Sequence, residues 1–119
     1  MAQVERRGSV RIPARLAMEI RVGGGDVARA ETVNVSANGV YFLSTFYIAP
    51  LTKLRITLDL VMDAGREGVR ESVACDGVVV RTQPELPDPG VSEYQIACYF
   101  TGVSNPEKLE AYILKQVPF

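Results

Sequence analysis

The sequence predicts a small all-β fold, a six-stranded antiparallel barrel with a C-terminal α-helix. Three observations carry that expectation. Apolar and polar residues alternate in several short runs. Turn signals rich in Gly, Asn and Pro separate those runs at regular intervals. The period lengthens from two to about 3.6 only near the end of the chain. With 119 residues, 47% apolar and 23% charged, the chain suits one compact domain and lacks the composition of a disordered one.

The elements follow in order. Residues 1–14 read as a flexible basic arm, with Gly8, Ser9 and no periodicity. The first strand spans 15–22, where Leu16, Met18, Ile20 and Val22 share one face and Ala17, Glu19 and Arg21 the other. Gly23-Gly24-Gly25-Asp26 is a hairpin signal, because glycine reaches the positive φ values a tight reversal needs. A second strand runs to about 35. Asn38-Gly39 is another turn dipeptide, and the third strand begins at Val40. Leu54, Ile56, Leu58 and Leu60 form the dry face of the fourth. After a polar loop over 65–68 the fifth strand covers 72–81, with Gly77 as a bulge or close-approach point. Pro84, Pro87, Pro89 and Gly90 make a loop, and the sixth strand covers 93–100.

The helix is expected over about 104–117. Ser104-Asn105-Pro106-Glu107 has the pattern of a capping box, in which Ser104 accepts from the Glu107 amide. Leu109, Tyr112, Ile113 and Gln116 then fall on one face, which is expected to pack on the barrel. Residues 15–119 thus form the barrel and its helix.

Composition excludes several function classes. Histidine is absent, which removes every Ser-His, Cys-His and His-metal arrangement. The acidic residues show no paired spacing, and Gly23 to Gly25 lack the context of a phosphate loop. No enzyme, cofactor or metal site is expected. Cys75 and Cys98 sit in apolar alternating stretches and read as small core residues, which fits a reducing compartment. Residues 32–52 are uncharged, but Asn34, Ser36, Asn38, Gly39, Ser44, Thr45 and Pro50 break them into pieces too short to span a bilayer. A cytoplasmic protein without membrane insertion is expected.

Charge is unevenly spread. Arg6, Arg7, Arg11 and Arg15 face only Glu5 within the first 15 residues, whereas the whole chain carries −1. A basic arm on a mildly acidic body points to a local anionic partner rather than a broad nucleic-acid surface. Arg7-Gly8-Ser9-Val10-Arg11 has RxxxR spacing and is preceded by Arg6. Arginine suits a nucleotide because its fork donates paired bonds to phosphate or a guanine edge and its plane stacks on a base. Asn34-Val35-Ser36-Ala37-Asn38-Gly39 is a second motif, [DN]xSxxG. Its structural reading is a turn in which Asn and Ser bond their own backbone and Gly39 takes a left-handed position. Its functional reading is that Asn34 and Ser36 aim polar groups at a ligand, while Gly39 lets backbone approach closely.

The order RxxxR, then [DN]xSxxG, then the Gly77-to-Arg81 strand, the Tyr94-to-Phe100 strand and a closing helix resembles the PilZ domain family along nearly the whole chain. The resemblance implies a PilZ-like barrel that binds the bacterial second messenger cyclic di-GMP. Arg7 and Arg11 are then the clamp, and Asn34, Ser36 and Gly39 the platform. Arg6 gives an RRxxxR form, similar to members that take up a stacked pair of ligand molecules. Asn34 stands where many members carry Asp. The carboxylate accepts both N–H groups of a guanine edge, whereas a carboxamide has one acceptor oxygen.

The expected function is a sensor whose arm closes over the ligand and presents a new surface to a downstream protein partner in trans, with motility, adhesion or exopolysaccharide control as the family's processes. Two alternatives stand beside it. One is a PilZ-fold interaction adaptor that does not bind the nucleotide. The other is a barrel for single-stranded nucleic acid, which needs aromatic platforms beside a basic groove. Tyr41, Phe42, Phe46 and Tyr47 cluster without basic neighbours, so core packing is expected of them and no nucleic-acid polymer is expected as a partner.

Overall fold

A computed structural model describes residues 3–4, 10–61 and 70–116. Its strands are β1 (Gln3–Val4), β2 (Val10–Pro13), β3 (Ala17–Val22), β4 (Val27–Val35), β5 (Gly39–Ser44), β6 (Lys53–Val61), β7 (Arg70–Gln83) and β8 (Tyr94–Val103). They are followed by the helix α1 (Pro106–Gln116). The strands β4-β3-β6-β7-β8-β5 are neighbours in that order, and β5 returns to β4 to close a six-stranded antiparallel barrel. These are the six strands the alternation predicts. In addition, β2 lies on β4 (Ile12 opposite Val35, Pro13 opposite Asn34) and β1 lies on β2.

Alternation decides what fills the barrel. Met18 and Ile20 from β3, Leu54, Ile56, Leu58 and Leu60 from β6, and Val73, Cys75 and Val79 from β7 all point inward and are buried. Phe42, Ile96 and Cys98 meet them from β5 and β8. A barrel of this size has no lumen, because side chains fill it. The hairpin between β3 and β4 turns at Gly23 and Gly24, whose φ values are +54° and +79°. The Gly25 amide closes the turn on the Val22 carbonyl at 2.9 Å, the type I′ geometry that matches strand twist.

The C-terminal helix buries Leu109, Tyr112 and Ile113 and reaches across to β7 through the ion pair of Lys108 with Glu71. Gln116, expected on the same face, is exposed. The cap also differs from expectation. Asn105, not Ser104, accepts from the Lys108 amide, at 3.1 Å. Ser104 instead continues the sheet edge, exchanging bonds with Ala74: its amide donates to the carbonyl at 2.8 Å, and its hydroxyl accepts from the amide at 3.1 Å. Both residues are good cap formers, and sheet pairing captured the first of them. Of the four clustered aromatics only Phe42 belongs to the core. Tyr41 and Tyr47 are half-buried, with hydroxyls donating to Gln95 and the Glu85 carbonyl, and Phe46 is exposed.

Three irregularities interrupt the ladders. One extra residue, Val33, sits in β4 opposite β5. A second, Val80, sits in β7 opposite β8, and a third disturbance lies at Asp76 and Gly77. The expectation of a bulge or close approach at Gly77 holds on both counts, since a Cβ there would lie 2.5 Å from Cys98 Sγ. Both cysteines are free thiols in the core.

Candidate functional site

A surface depression of about 230 Å³ opens where β2, β4, β5, β7 and β8 come together. Arg11, Asn34, Ser36 and Gly39 all line it, so the structure gathers four of the six residues singled out from sequence. The other two, Arg6 and Arg7, lie outside the described residues.

The bulge at Val33 puts Asn34 there. Along β4 the inward positions are Ala28, Ala30 and Thr32, but beyond the bulge the inward residue is Val35, which is fully buried. The extra residue changes the parity of the strand. In a regular strand Asn34 would enter the core in place of Val35. As built, Asn34 faces outward and half-buried, and its carboxamide hydrogen-bonds to none of the described residues.

Arg11 arrives through a different device. The chain passes from β2 to β3 over Ala14 to Leu16, and both strands lie on β4. Buried Thr32 pins that passage: its hydroxyl accepts from the Leu16 amide at 2.8 Å and donates to the Ala14 carbonyl. The Ala14 amide donates to the Val33 carbonyl at 3.1 Å. With Ile12 opposite Val35, Arg11 is set at the rim beside the loop that follows β4. Arg15 sits within that passage and faces Glu31 at 3.9 Å.

That loop is shaped by Ser36. Its buried hydroxyl accepts from the Asn38 and Gly39 amides at 3.2 and 3.1 Å and donates to the Gly39 carbonyl at 3.4 Å. The Ser36 amide donates to the same carbonyl at 2.9 Å. The motif therefore behaves at Ser36 as the turn-former that its structural reading describes. Gly39 does not take the left-handed conformation, however, since the positive φ values among the described residues belong to Gly23, Gly24 and Leu51. Glycine is required for another reason. A Cβ at this position would lie 2.4 Å from the Cys98 carbonyl oxygen, so only a residue without one lets β5 meet β8 here.

Sequence reasoning missed the far wall. Val80, Ala97 and Tyr99 also line the depression. Val80, the bulge residue of β7, is 56% exposed, and the bulge moves the next inward position from Arg81 to Thr82. A run of three valines conceals that switch, since alternation cannot be read within it. Tyr99 is 46% exposed, and its outward place follows from the strict alternation of buried Ile96, Cys98 and Phe100. That signal was present in the sequence.

Electrostatics favours an anion. Among the described lining residues Arg11 carries the one charge, and none is a carboxylate, in a chain with 14 acidic residues. A neutral, partly enclosed surface screens a guanidinium less than open water does. Beneath it, burial pushes the Cys98 thiol up to about 12, helped by Cys75 nearby. It is a protonated core group at neutral pH rather than a nucleophile. Among the described residues no group of three His, Cys, Asp or Glu side chains is placed to hold a metal ion. No described helix is long and apolar enough to cross a membrane.

Comparisons with known proteins agree with this architecture. The sequence model of the PilZ domain matches residues 5–115. Among solved structures, the inhibitor of motility MotI/DgrA of Bacillus subtilis superposes with a TM-score of 0.72 at 20% identity, over 95% of this chain and 52% of that one. This chain thus spans about half the length of that neighbour, and at such identity the likeness concerns the fold. No curated protein matches in sequence.

Proposed function

Because the chain belongs to the PilZ domain family, we propose that it is a receptor for cyclic di-GMP, which it binds in the depression lined by Arg11, Asn34, Ser36 and Gly39. The observation that carries this reading is the convergence itself. Two separate devices, the Thr32 pin and the Val33 bulge, deliver a guanidinium and a carboxamide to one surface whose described lining residues include no carboxylate. Those groups match the two chemistries of the ligand. Arg11 meets phosphate oxygens or a guanine edge, each charge-assisted bond contributing about 1.5–3 kcal/mol. Asn34 meets the base edge with one acceptor and two donors. Ser36 acts indirectly, by fixing the loop on which Asn34 and Gly39 sit.

Arg6 and Arg7 complete the clamp in this proposal, the arm closing over the ligand and the ordered surface being read by a partner protein in the cytoplasm. The motility role named for the MotI/DgrA neighbour makes motility the first process to assay. The protein acts by binding, not by catalysis.

One observation favours the second reading, an adaptor that works without the nucleotide. Leu51 and Leu86 are exposed on the loops over 45–52 and 84–93, and Leu51 holds φ of +71°, a cost that a docking role would explain. Titration calorimetry with cyclic di-GMP separates the two. The receptor reading expects saturable heat that Arg7→Ala and Arg11→Ala each remove while circular dichroism stays unchanged. No heat from the intact protein supports the adaptor.

A further inference from the structure

The groups assigned so far address a phosphate and the edge of a base. A nucleobase also has a face, and the depression holds a residue suited to it. Resting on the receptor reading, we propose that Tyr99 is the base-stacking residue of this site. Its ring would form the wall against which one purine of the ligand lies flat.

Exposure alone would not justify this, since single exposed aromatics are common on protein surfaces. Strand register sets Tyr99 apart. On the outer face of the barrel Tyr99 stands directly opposite Gly39 on β5 and Val78 on β7. The next outward residue along β8, Ala97, stands opposite Tyr41. Cross-strand neighbours normally cover one another's side chains. Here the residue beside Tyr99 on β5 is a glycine that the Cys98 carbonyl forbids from gaining a side chain, and the next one along its own strand is an alanine. The small pair Gly39 and Ala97 forms a floor, with Tyr99 as one wall and the exposed bulge residue Val80 beside it.

Hydrogen bonding sets Tyr99 apart from the second tyrosine of the depression. The Tyr41 hydroxyl is tied to Gln95 Oε1 at 2.6 Å, which fixes that ring as scaffold. The Tyr99 hydroxyl bonds to no described residue, leaving the ring free to settle on a ligand. Arg11, Asn34 and Tyr99 then present a cation, a polar edge and an aromatic face on one surface, the three complements of a purine nucleotide. An aromatic face tolerates any base, so Tyr99 contributes affinity, and discrimination stays with Asn34.

The experiment is calorimetric titration of the full chain with cyclic di-GMP, using wild type, Tyr99→Ala, Tyr99→Leu and Tyr99→Phe. Tyrosine emission is followed in parallel, which the absence of tryptophan makes readable. Stacking expects Tyr99→Ala to bind about 5- to 150-fold more weakly. Leucine, with bulk but no π face, should recover little of that loss, and phenylalanine should bind like wild type. Ligand should quench part of the wild-type emission, and Tyr99→Phe should lose that quenching while keeping affinity. Wild-type affinity in both Tyr99→Ala and Tyr99→Leu would overturn the stacking role and leave the receptor reading intact. Equal weakening in Tyr99→Phe and Tyr99→Ala would also overturn it, by assigning the effect to the hydroxyl. Absence of binding by the wild type would overturn both readings.

Discussion

The barrel has a regular side and an irregular one. Across β3, β6 and the first part of β7 the ladders run without interruption, nine consecutive pairs joining β6 to β7. Across β4–β5 and β7–β8 the register slips at three places, and the depression lies between two of those slips. The regular side is assembled from inward Leu and Ile that exclude water and ask nothing else of the sequence. The irregular side relinquishes ladder pairs to turn single residues outward, Asn34 in β4 and Arg81 in β7. The division suggests that stability and recognition are carried by different halves of one closed sheet, and substitutions can test that division.

The largest effect on stability should come from the regular side. Ile56 and Leu58 are fully buried, and Ile56→Ala or Leu58→Ala should cost about 2–5 kcal/mol in denaturant melts. Ligand affinity per folded molecule should be unchanged. A mutant on that side that bound weakly while remaining folded would break the comparison.

Two glycines sharpen it. Gly24 in the β3–β4 hairpin is glycine for its φ of +79° alone, with open space around it. Gly24→Ala should therefore cost about 1–2 kcal/mol, the price of a left-handed alanine. Gly39 has an ordinary φ but no room, and Gly39→Ala drives a methyl into backbone that cannot turn aside. About 3 kcal/mol is expected, at the upper end of overpacking, together with loss of binding as β5 lifts from β8. Equal costs at the two sites would mean that the β5–β8 seam yields more easily than the 2.4 Å approach implies.

Two serines flanking β5 give a smaller and more selective contrast. Ser36 and Ser44 are both buried and both fold the chain on itself. Ser44 donates to the Phe46 carbonyl at 2.7 Å and accepts from its amide at 3.2 Å. Alanine at either position should cost about 1 kcal/mol. Only Ser36→Ala should also weaken cyclic di-GMP binding, because the loop it shapes carries the site. Ser44→Ala losing affinity equally would place ligand contacts at both ends of β5.

The same division explains what could be read from sequence. Met18 and Ile20, or Leu54 through Leu60, announce their strands because nothing interrupts the period of two, and the six barrel strands and the helix follow from such runs. The motif residues could be named, but not how they come together. Val33 as a bulge leaves no mark in Thr32-Val33-Asn34-Val35, where an extra valine looks like one more strand residue. Nor does sequence show that Gly39 answers to a carbonyl 59 positions away, since a turn glycine and a close-approach glycine are the same letter. Asn105 displaced Ser104 as the cap because Ser104 had a sheet partner in Ala74, a long-range fact. Local chemistry identified candidates, and tertiary pairing chose among them.

The subtlest test follows the two core thiols, each beside a slip of the β7–β8 ladder. Cys75 stands opposite Ile56 in the uninterrupted β6–β7 ladder and opposite Val103 beside the Asp76–Gly77 slip. Cys98 lies under the depression, opposite Val40 and Val79 and next to the Val80 slip. Burial first, then the charge of Asp76, pushes Cys75 up to about 12, and Cys98 rises as far. Both are raised from 9.0, so the unfolded chain loses these protons before the folded one does. Their contribution is thus intact below pH 9 and declines as pH climbs from 9 towards 12, which melts across that range should register as falling stability. At pH 8 neither thiol should react with a disulfide reagent until the barrel opens locally. The unbroken ladder that holds Cys75 runs for nine pairs and the one that holds Cys98 for six; opening is easier where fewer pairs hold a strand, so Cys98 should be modified before Cys75, as peptide mapping of a time course would resolve. Saturating cyclic di-GMP should slow Cys98 and leave Cys75 little changed, because a ligand bound across β5 and β8 holds that seam closed. If the two thiols reacted at one rate and ligand slowed both alike, the barrel would open as a single unit, and its two sides would differ in geometry but not in stability.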